Sequence, residues 1–169
     1  MQQVLAGLVA ARAAGFDPAA GDLKLNAVIQ RGVNDDQLIP LAELARSQRM
    51  ELRLIEYMDV GNRNGWRMDQ VLPAEVMVQR IAEHWPLRSL GRNPGGTARR
   101  WRYHDEVSDV GVVASISEPF CGDCNRLRIT ADGQAFTCLF AAQGTDLTPA
   151  MGSDQELEHA IRCLLYTSP

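Results

Sequence analysis

The sequence lacks a hydrophobic stretch long enough to cross a membrane. No apolar run approaches the ~20 residues that a transmembrane helix requires. The residues Met1 to Gln3 carry no charged side chain and lead into an amphipathic segment, which is unlike a secretory signal peptide. Cysteines at metal-type spacing without such a signal favour a reducing compartment, so we expect a cytoplasmic protein.

The sequence also has no excess of basic residues. It contains 17 Lys and Arg against 21 Asp and Glu, a formal net charge of −4. Bulk electrostatics therefore do not favour nucleic-acid binding, and one short basic cluster at residues 97–103 does not change this expectation. The hydrophobic fraction of 46% is ordinary for a globular protein, and no internal repeat or low-complexity segment is present.

Three of the four cysteines lie in one short stretch, residues 119–140, with the sequence PFCGDCNRLRITADGQAFTCLF. Cys121 and Cys124 form a C-x2-C pair, and Cys138 follows further along. Asp132-Gly133 lies between two runs that alternate apolar and polar residues, which predicts a β-hairpin. Because that hairpin would return Cys138 toward the C-x2-C loop, we expect three thiolates to converge on one point.

Three thiolates are compatible with several kinds of site. A structural zinc ion requires a fourth ligand, but the sequence has no second C-x2-C and no histidine pair at metal-binding spacing. A disulfide would leave one thiol unpaired. An iron–sulfur cluster normally has four cysteine ligands, so three would leave one iron open. Spacing alone favours zinc and iron–sulfur equally, with inert core cysteines as the lesser alternative.

Two arginines within the same stretch favour an anionic ligand. Arg126 and Arg128 alternate on a predicted strand, so both side chains are expected on one face. Two guanidinium groups beside a metal centre suit a phosphate or a carboxylate. The commoner alternative for such arginines is a solvated strand face.

This stretch resembles the C-terminal cluster motif of the GTP 3′,8-cyclases, radical S-adenosylmethionine enzymes of molybdenum cofactor biosynthesis. The family pattern is F-C-x-x-C-N-R-x-R-x-T-x-x-G followed by C-L. The matching residues are Phe120, Cys121, Cys124, Asn125, Arg126, Arg128, Thr130, Gly133, Cys138 and Leu139. The resemblance implies a 4Fe–4S cluster on Cys121, Cys124 and Cys138, whose open iron binds the guanine of GTP. It also places Arg126, Leu127 and Arg128 in the GTP site.

The first part of the chain has the pattern of a βαβ unit with parallel strands. A helix is predicted over residues 2–14, a strand over 23–30, a helix from Asn34 or Asp35 to Arg49, and a strand over 51–58. Because two parallel strands do not form a stable sheet alone, this segment is expected to be the last part of a larger α/β barrel. Further on, a helix is predicted from Pro73 to about His84, strands over 97–103 and 110–116, and a last helix including Leu157, Ile161 and Leu164.

The family resemblance extends to this first part. Residues 23–36 and 53–58 are similar to the late strands of the cyclases' incomplete TIM-type barrel. The resemblance makes Lys24 a GTP-binding residue, Met58 a contact of S-adenosylmethionine, and Arg53 an active-site arginine; without it, Lys24 would be a surface lysine and Met58 a core residue. Arg53 and Met58 have opposite strand parity, so Met58 is expected beyond the strand, at its carboxyl end.

The implied fold is α/β. Residues 1–70 would form the last βα units of the incomplete barrel, and residues 71–169 an α+β domain with the auxiliary 4Fe–4S cluster and the GTP site. The sequence has no N-terminal C-x3-C-x2-C motif for the cluster that cleaves S-adenosylmethionine and no Gly-Gly tail, so we expect a fragment that is inactive alone. Cys163 has no assigned role.

The resemblance implies a parent enzyme that converts GTP to 3′,8-cyclo-7,8-dihydro-GTP by radical chemistry, with a second 4Fe–4S cluster. GTP and S-adenosylmethionine would be its ligands, nucleic acid and membrane would not be partners, and a homodimer is left open. Two other classes compete with this interpretation: a zinc-stabilised binding module, and the auxiliary-cluster domain of another radical enzyme.

Overall fold

The computed structural model describes residues 2–59, 65–124 and 126–167. Asn125 of the cysteine motif lies outside the described residues. The sequence GNRNG at residues 61–65 predicts a loop, and all of it except Gly65 also lies outside them. The chain divides into two compact units. One consists of Met1–Met58 with Trp66–Pro119, and the other of Asp59–Gly65 with Phe120–Pro169. The predicted boundary between residues 70 and 71 falls inside the first unit, because strands from both sides of it join one sheet.

The described elements confirm a mixed α/β fold. The helices are α1 (Gln2–Ala13), α2 (Leu38–Ser47), α3 (Ala74–Ala82) and α4 (Asp154–Thr167). The strands are β1 (Lys24–Ile29), β2 (Glu51–Glu56), β3 (Leu87–Arg92), β4 (Arg99–Tyr103), β5 (Asp109–Val113), β6 (Arg128–Ile129), β7 (Gln134–Phe136) and β8 (Thr145–Asp146). Short 3-10 turns are formed by Asp35–Gln37, Met68–Gln70, Cys121–Asp123 and Thr148–Ala150.

The first unit contains a five-stranded sheet in the order β1-β2-β5-β4-β3. Strands β1, β2 and β5 run parallel, which confirms the predicted βαβ unit, and β4 and β3 continue the sheet antiparallel. In β2, Leu52 and Leu54 are fully buried, while Glu51 and Arg53 lie on the other face. The core-facing residues pack with the buried face of α2 (Leu38, Ala42 and Ala45) and with Met77 and Ile81 of α3.

The turn before α2 uses its polar side chains differently from the predicted cap. Neither Asn34 nor Gln37 makes a side-chain capping hydrogen bond to the helix that follows it. Instead, Asn34 Oδ1 accepts a hydrogen bond from the backbone N–H of Gln30 at 2.8 Å, and Asp35 Oδ1 accepts from Gly32 at 2.7 Å. These side chains therefore stabilise the turn that leaves β1.

Strand β3 was not predicted. Its sequence, LRSLGR, has no apolar face of the kind that marks a buried strand, and its residues are exposed or half-buried. The sequence NPGG at residues 93–96 predicts a break in the chain, and it lies in the connection between β3 and β4. A register shift between Ser89 and Gly91 further interrupts the pattern.

The second unit is built on the predicted hairpin. Strands β6 and β7 pair antiparallel, and β8 adds a third strand to β7. Gly133 has a φ of 82°, a left-handed conformation that glycine adopts without a steric penalty, so the Asp-Gly turn is confirmed. Helix α4 follows and confirms the last predicted helix. In the part of the chain that the structure describes, no helix is both long and apolar enough to span a bilayer.

Candidate nucleotide and cluster site

The C-x2-C pair lies on a single 3-10 turn. The backbone N–H of Cys124 donates to the carbonyl of Cys121 at 3.1 Å, which closes the loop between the two cysteines. Cys121 is exposed and Cys124 is half-buried. None of the four cysteines, all of which the structure describes, forms a disulfide, so no disulfide competes with metal binding.

The thiol of Cys124 is in an electropositive environment. Nη2 of Arg126 lies 3.2 Å from the Cys124 Sγ atom. The pKa of Cys124 is lowered, chiefly by a hydrogen bond from the backbone N–H of Arg126 and next by one from its guanidinium group. Burial alone would raise this pKa, but the positive charges of Arg126 and Arg128 also lower it. The thiolate is the form of cysteine that binds a metal, so these two arginines favour the ligating state.

Both arginines of the motif retain unused hydrogen-bond donors. The guanidinium of Arg126 lies 5.0 Å from the centroid of the Phe120 ring, and its Nε is hidden from solvent with no hydrogen-bond partner among the described residues. Nη1 of Arg128 is hidden in the same way. Arg128 begins β6, whereas Arg126 and Leu127 precede it, so the expected alternation of both arginines on one strand is not formed. Buried donors of this kind are uncommon, and they suit an anionic ligand.

The three motif thiols do not surround a single ion position. Among the described residues, no group of three or more His, Cys, Asp and Glu side chains could hold one metal ion. Cys138 is exposed beyond the end of β7, where its Sγ accepts a hydrogen bond from the N–H of Phe140 at 3.4 Å. Three thiols on different irons of one cluster lie farther apart than the ligands of one ion. The chemistry of this donor set therefore still fits an iron–sulfur cluster, and its assignment to these thiols stays a prediction.

In the first unit, Lys24 and Arg53 lie on the sheet face opposite the core. Lys24 is directly across from Glu51 in the parallel register of β1 and β2, and Arg53 follows Glu51 on the same face. Nη2 of Arg53 lies 2.9 Å from Glu51 Oε1, and Nζ of Lys24 lies 3.7 Å from Glu51 Oε2. The structure thus brings these two predicted GTP-binding residues together through a carboxylate that was not predicted to take part.

Met58 lies beyond the carboxyl end of β2, which ends at Glu56. As expected, Met58 is outside the regular strand, so the alternation of side chains along β2 does not decide whether Met58 and Arg53 can face the same site. Lys24, in contrast, is the first residue of β1. Lys24 therefore lies at the amino end of the parallel strands, and Met58 lies beyond their carboxyl end.

Glu56 is a buried carboxylate that the sequence analysis missed. It is fully buried and accepts hydrogen bonds from the N–H groups of Ala74, Ile116 and Ser117 at 2.8–2.9 Å, and from the Ser117 hydroxyl. The signal was present in the sequence, since in ELRLIE the parity of Leu52 and Leu54 places Glu56 on the core face. Glu56 ties the end of β2 to the start of α3 and to the segment that follows β5.

The basic cluster at residues 97–103 is neutralised by carboxylates. Arg100 lies 2.5 Å from an oxygen of Asp109, and Arg102 donates to both oxygens of that carboxylate at 2.6 and 3.1 Å. Arg99 is paired with Glu118 at 2.7 Å. Arg99, Arg100 and Arg102 of the cluster therefore each have a carboxylate partner.

Comparison with known proteins agrees with this combination of a mixed sheet and a cysteine loop with two arginines. A family model described as Molybdenum Cofactor Synthesis C matches residues 50–167. The chain belongs to this family.

The relatives that the chain resembles are named GTP 3′,8-cyclase. One from a Synechococcus strain is 71% identical over 97% of this chain and 47% of its own length. Another from Acidothermus cellulolyticus is 51% identical over 92% of this chain and 42% of its own length. A third from Xanthomonas campestris is 48% identical over 92% of this chain and 45% of its own length. The chain thus spans about half the length of these relatives and matches their C-terminal part.

Proposed function

We propose that this chain is the C-terminal part of a GTP 3′,8-cyclase, which converts GTP to 3′,8-cyclo-7,8-dihydro-GTP in molybdenum cofactor biosynthesis. The observation that carries the proposal is the cysteine loop, where Arg126 contacts the Cys124 thiol and two arginines keep hidden donors that have no partner in the part of the chain that the structure describes. The relatives named GTP 3′,8-cyclase support it, since they match nearly the whole chain. S-Adenosylmethionine and GTP would be the ligands of the complete enzyme.

Cys121, Cys124 and Cys138 would hold a 4Fe–4S cluster with one iron open to the guanine ring. The cluster would supply an anchoring bond for the base, while Arg126, Leu127 and Arg128 form the adjacent wall. The orphaned Nε of Arg126 and Nη1 of Arg128 would donate to an acceptor on the nucleotide. Fixing the base and the phosphates at separate points would orient the ribose between them, and orientation of this kind is a large part of such catalysis.

Lys24 and Arg53 would contribute positive charge to the GTP site, and Met58 would contact S-adenosylmethionine. S-Adenosylmethionine with its own cluster would supply the radical that starts ring closure when both are bound. The residues of this chain would bind and position the nucleotide. A reducing cytoplasm suits cysteines that form no disulfide, as in the described part of this chain, and we propose this location for the enzyme.

The parallel strands β1, β2 and β5 would belong to an incomplete TIM-type barrel, with the auxiliary cluster domain after it. Strand β1 is at the edge of its sheet, and Val28 on it is 48% exposed. An edge of this kind can accept a further strand. The open face that carries Lys24 and Arg53 would then line the interior of the barrel.

The cluster half of the proposal is tested by anaerobic purification with iron and sulfide analysis of the protein of full family length that contains this chain. Cys124→Ser is expected to lose the iron and sulfide of one cluster, while the matched control Cys163→Ser should keep the full iron and sulfide content of the wild type. Full metal content in Cys124→Ser would overturn the assignment. A colourless protein that contains zinc would support a zinc-stabilised module instead.

A further inference from the structure

Glu51 connects the two cations on the open face of the sheet. Each of its carboxylate oxygens faces a different partner, Arg53 at 2.9 Å and Lys24 at 3.7 Å. The Glu51 side chain is only 11% exposed, whereas that of Lys24 is 41% exposed. Because the carboxylate is shielded from water, its attraction to the two cations is stronger than that of a surface ion pair.

The sheet leaves space for this carboxylate at Gly111. Gly111 is the direct neighbour of Arg53 across β2 and β5. A Cβ atom at position 111 would lie 3.1 Å from Glu51 Oε1, 3.3 Å from the Cβ of Ala98 and 3.8 Å from Nε of Arg53. Any side chain at this position would therefore press on the bridge between Glu51 and Arg53.

We infer that Glu51 is a positioning residue that holds Lys24 and Arg53 in place to receive the anionic part of the nucleotide. The inference rests on the proposed function, in which both cations bind GTP. Without the carboxylate, two like charges on one face would repel each other. Their long side chains would then have to be ordered at the moment of binding, which weakens affinity. Glu51 acts through the two cations and does not itself bind the nucleotide.

The opposite effect is also physically reasonable and makes the test decisive. A carboxylate next to two cations can compete with a phosphate for them, and its removal would then tighten GTP binding. Positioning and competition therefore predict changes of opposite sign in the dissociation constant for GTP.

The experiment is titration of GTP into the anaerobic, cluster-loaded protein of full family length with Glu51→Gln. We expect the affinity for GTP to fall about tenfold, from the ordering of two side chains, and the affinity for S-adenosylmethionine to stay unchanged. Glu43→Gln, on the exposed side of α2, is the matched control and should bind GTP as the wild type does. Gly111→Ala keeps every charge but displaces the carboxylate, so it should also weaken GTP binding, and it replaces Glu51→Gln if that variant does not fold.

GTP affinity equal to or tighter than that of the wild type in the folded variants would overturn the inference. Crystal structures without nucleotide separate this result from a failure of the proposed function. If the wild-type protein binds no GTP, the proposed function fails, but the positions of the Arg53 guanidinium and the Lys24 amine still decide the role of Glu51. Their displacement in Glu51→Gln supports positioning, and unmoved side chains overturn it.

Discussion

The buried carboxylate of Glu56 and the backbone and hydroxyl groups of Ser117 are joined by two hydrogen bonds across 61 residues of sequence. The same carboxylate accepts hydrogen bonds from the backbone N–H groups of Ala74 and Ile116. Ser117 precedes the first motif cysteine, Cys121, by only a few residues. One side chain at the end of β2 therefore fixes the start of α3 and the segment that leads to the cysteine loop.

Removing this carboxylate should destabilise the first unit. Glu56→Ala leaves three N–H groups and one hydroxyl without their acceptor, and each unsatisfied buried donor costs about 1–3 kcal/mol. We expect the free energy of unfolding to fall by about 3–5 kcal/mol in urea denaturation. Glu56→Gln keeps one acceptor oxygen and should lose less. Glu43→Ala, at an exposed position, should change the value by less than about 0.5 kcal/mol. A loss of that small size in Glu56→Ala would show that the network is not important for stability.

Two glycine substitutions should change stability in opposite directions. Gly133 has a positive φ, and an added Cβ would meet Cγ2 of Thr148 at 2.8 Å, so Gly133→Ala should destabilise the hairpin by about 1–3 kcal/mol. Gly7 lies within α1, and no atom of the described residues lies within 4 Å of an added Cβ, so Gly7→Ala should stabilise the helix by about 0.5–1 kcal/mol. Chemical denaturation measures both. Equal effects of the same sign would contradict the assigned backbone conformations.

The ion pairs of Asp109 should make stability sensitive to acid. Burial alone would raise the pKa of Asp109, but the hydrogen bonds and charges of Arg102 and Arg100 outweigh it and hold the pKa below its ordinary value of 3.8. A carboxyl whose pKa is lower in the folded state contributes stability above its unfolded pKa and loses it as pH falls through the folded pKa. Asp109→Asn should therefore be less stable than the wild type at pH 7, and the difference should shrink as the pH falls below about 4.

Urea denaturation across this pH range tests the prediction. Glu43→Gln, at an exposed position of α2, serves as the control and should stay as stable as the wild type at each pH. The range from about pH 7 to about pH 3 spans the ordinary pKa of an Asp side chain. If the difference in unfolding free energy between Asp109→Asn and the wild type stays constant over this range, the proposed acid dependence is contradicted.

The arginines of the motif should bind GTP in the protein of full family length. A hydrogen bond to a charged group contributes about 1.5–3 kcal/mol, so Arg128→Ala should weaken GTP binding by about ten- to a hundredfold while retaining iron and S-adenosylmethionine binding. Arg128→Lys should recover only part of the affinity, because an ammonium group lacks the planar fork of guanidinium.

Isothermal titration of GTP distinguishes these variants. Arg162→Ala, whose side chain is 77% exposed on α4, is the matched control and should leave the affinity unchanged. If Arg126→Ala and Arg128→Ala both bind GTP as tightly as the wild type, the two arginines belong to a solvated surface and the nucleotide part of the proposed function fails.

The sequence by itself determined the local elements and the cysteine loop. The parallel βαβ unit followed from apolar periodicity, and the hairpin of β6 and β7 from Asp-Gly between alternating runs, because both signals depend on neighbours along the chain. The resemblance of the motif from Phe120 to Leu139 indicated the family, since its spacing is contained in a short stretch. Strand β3 was not predicted, because its sequence LRSLGR has no buried face and therefore no apolar alternation.

Only the tertiary structure decided which charged residues meet. The bridge from Glu51 to Lys24, the pairing of Asp109 with Arg100 and Arg102, and the hydrogen bonds of Glu56 to Ser117 all join different strands or loops. Sequence periodicity gives the face on which a side chain lies, and the parity of Glu56 with Leu52 and Leu54 agrees with its buried position, although burial of Glu56 was not predicted. It does not give the strand order or register, and these determine the distance between two charges and hence the strength of their interaction.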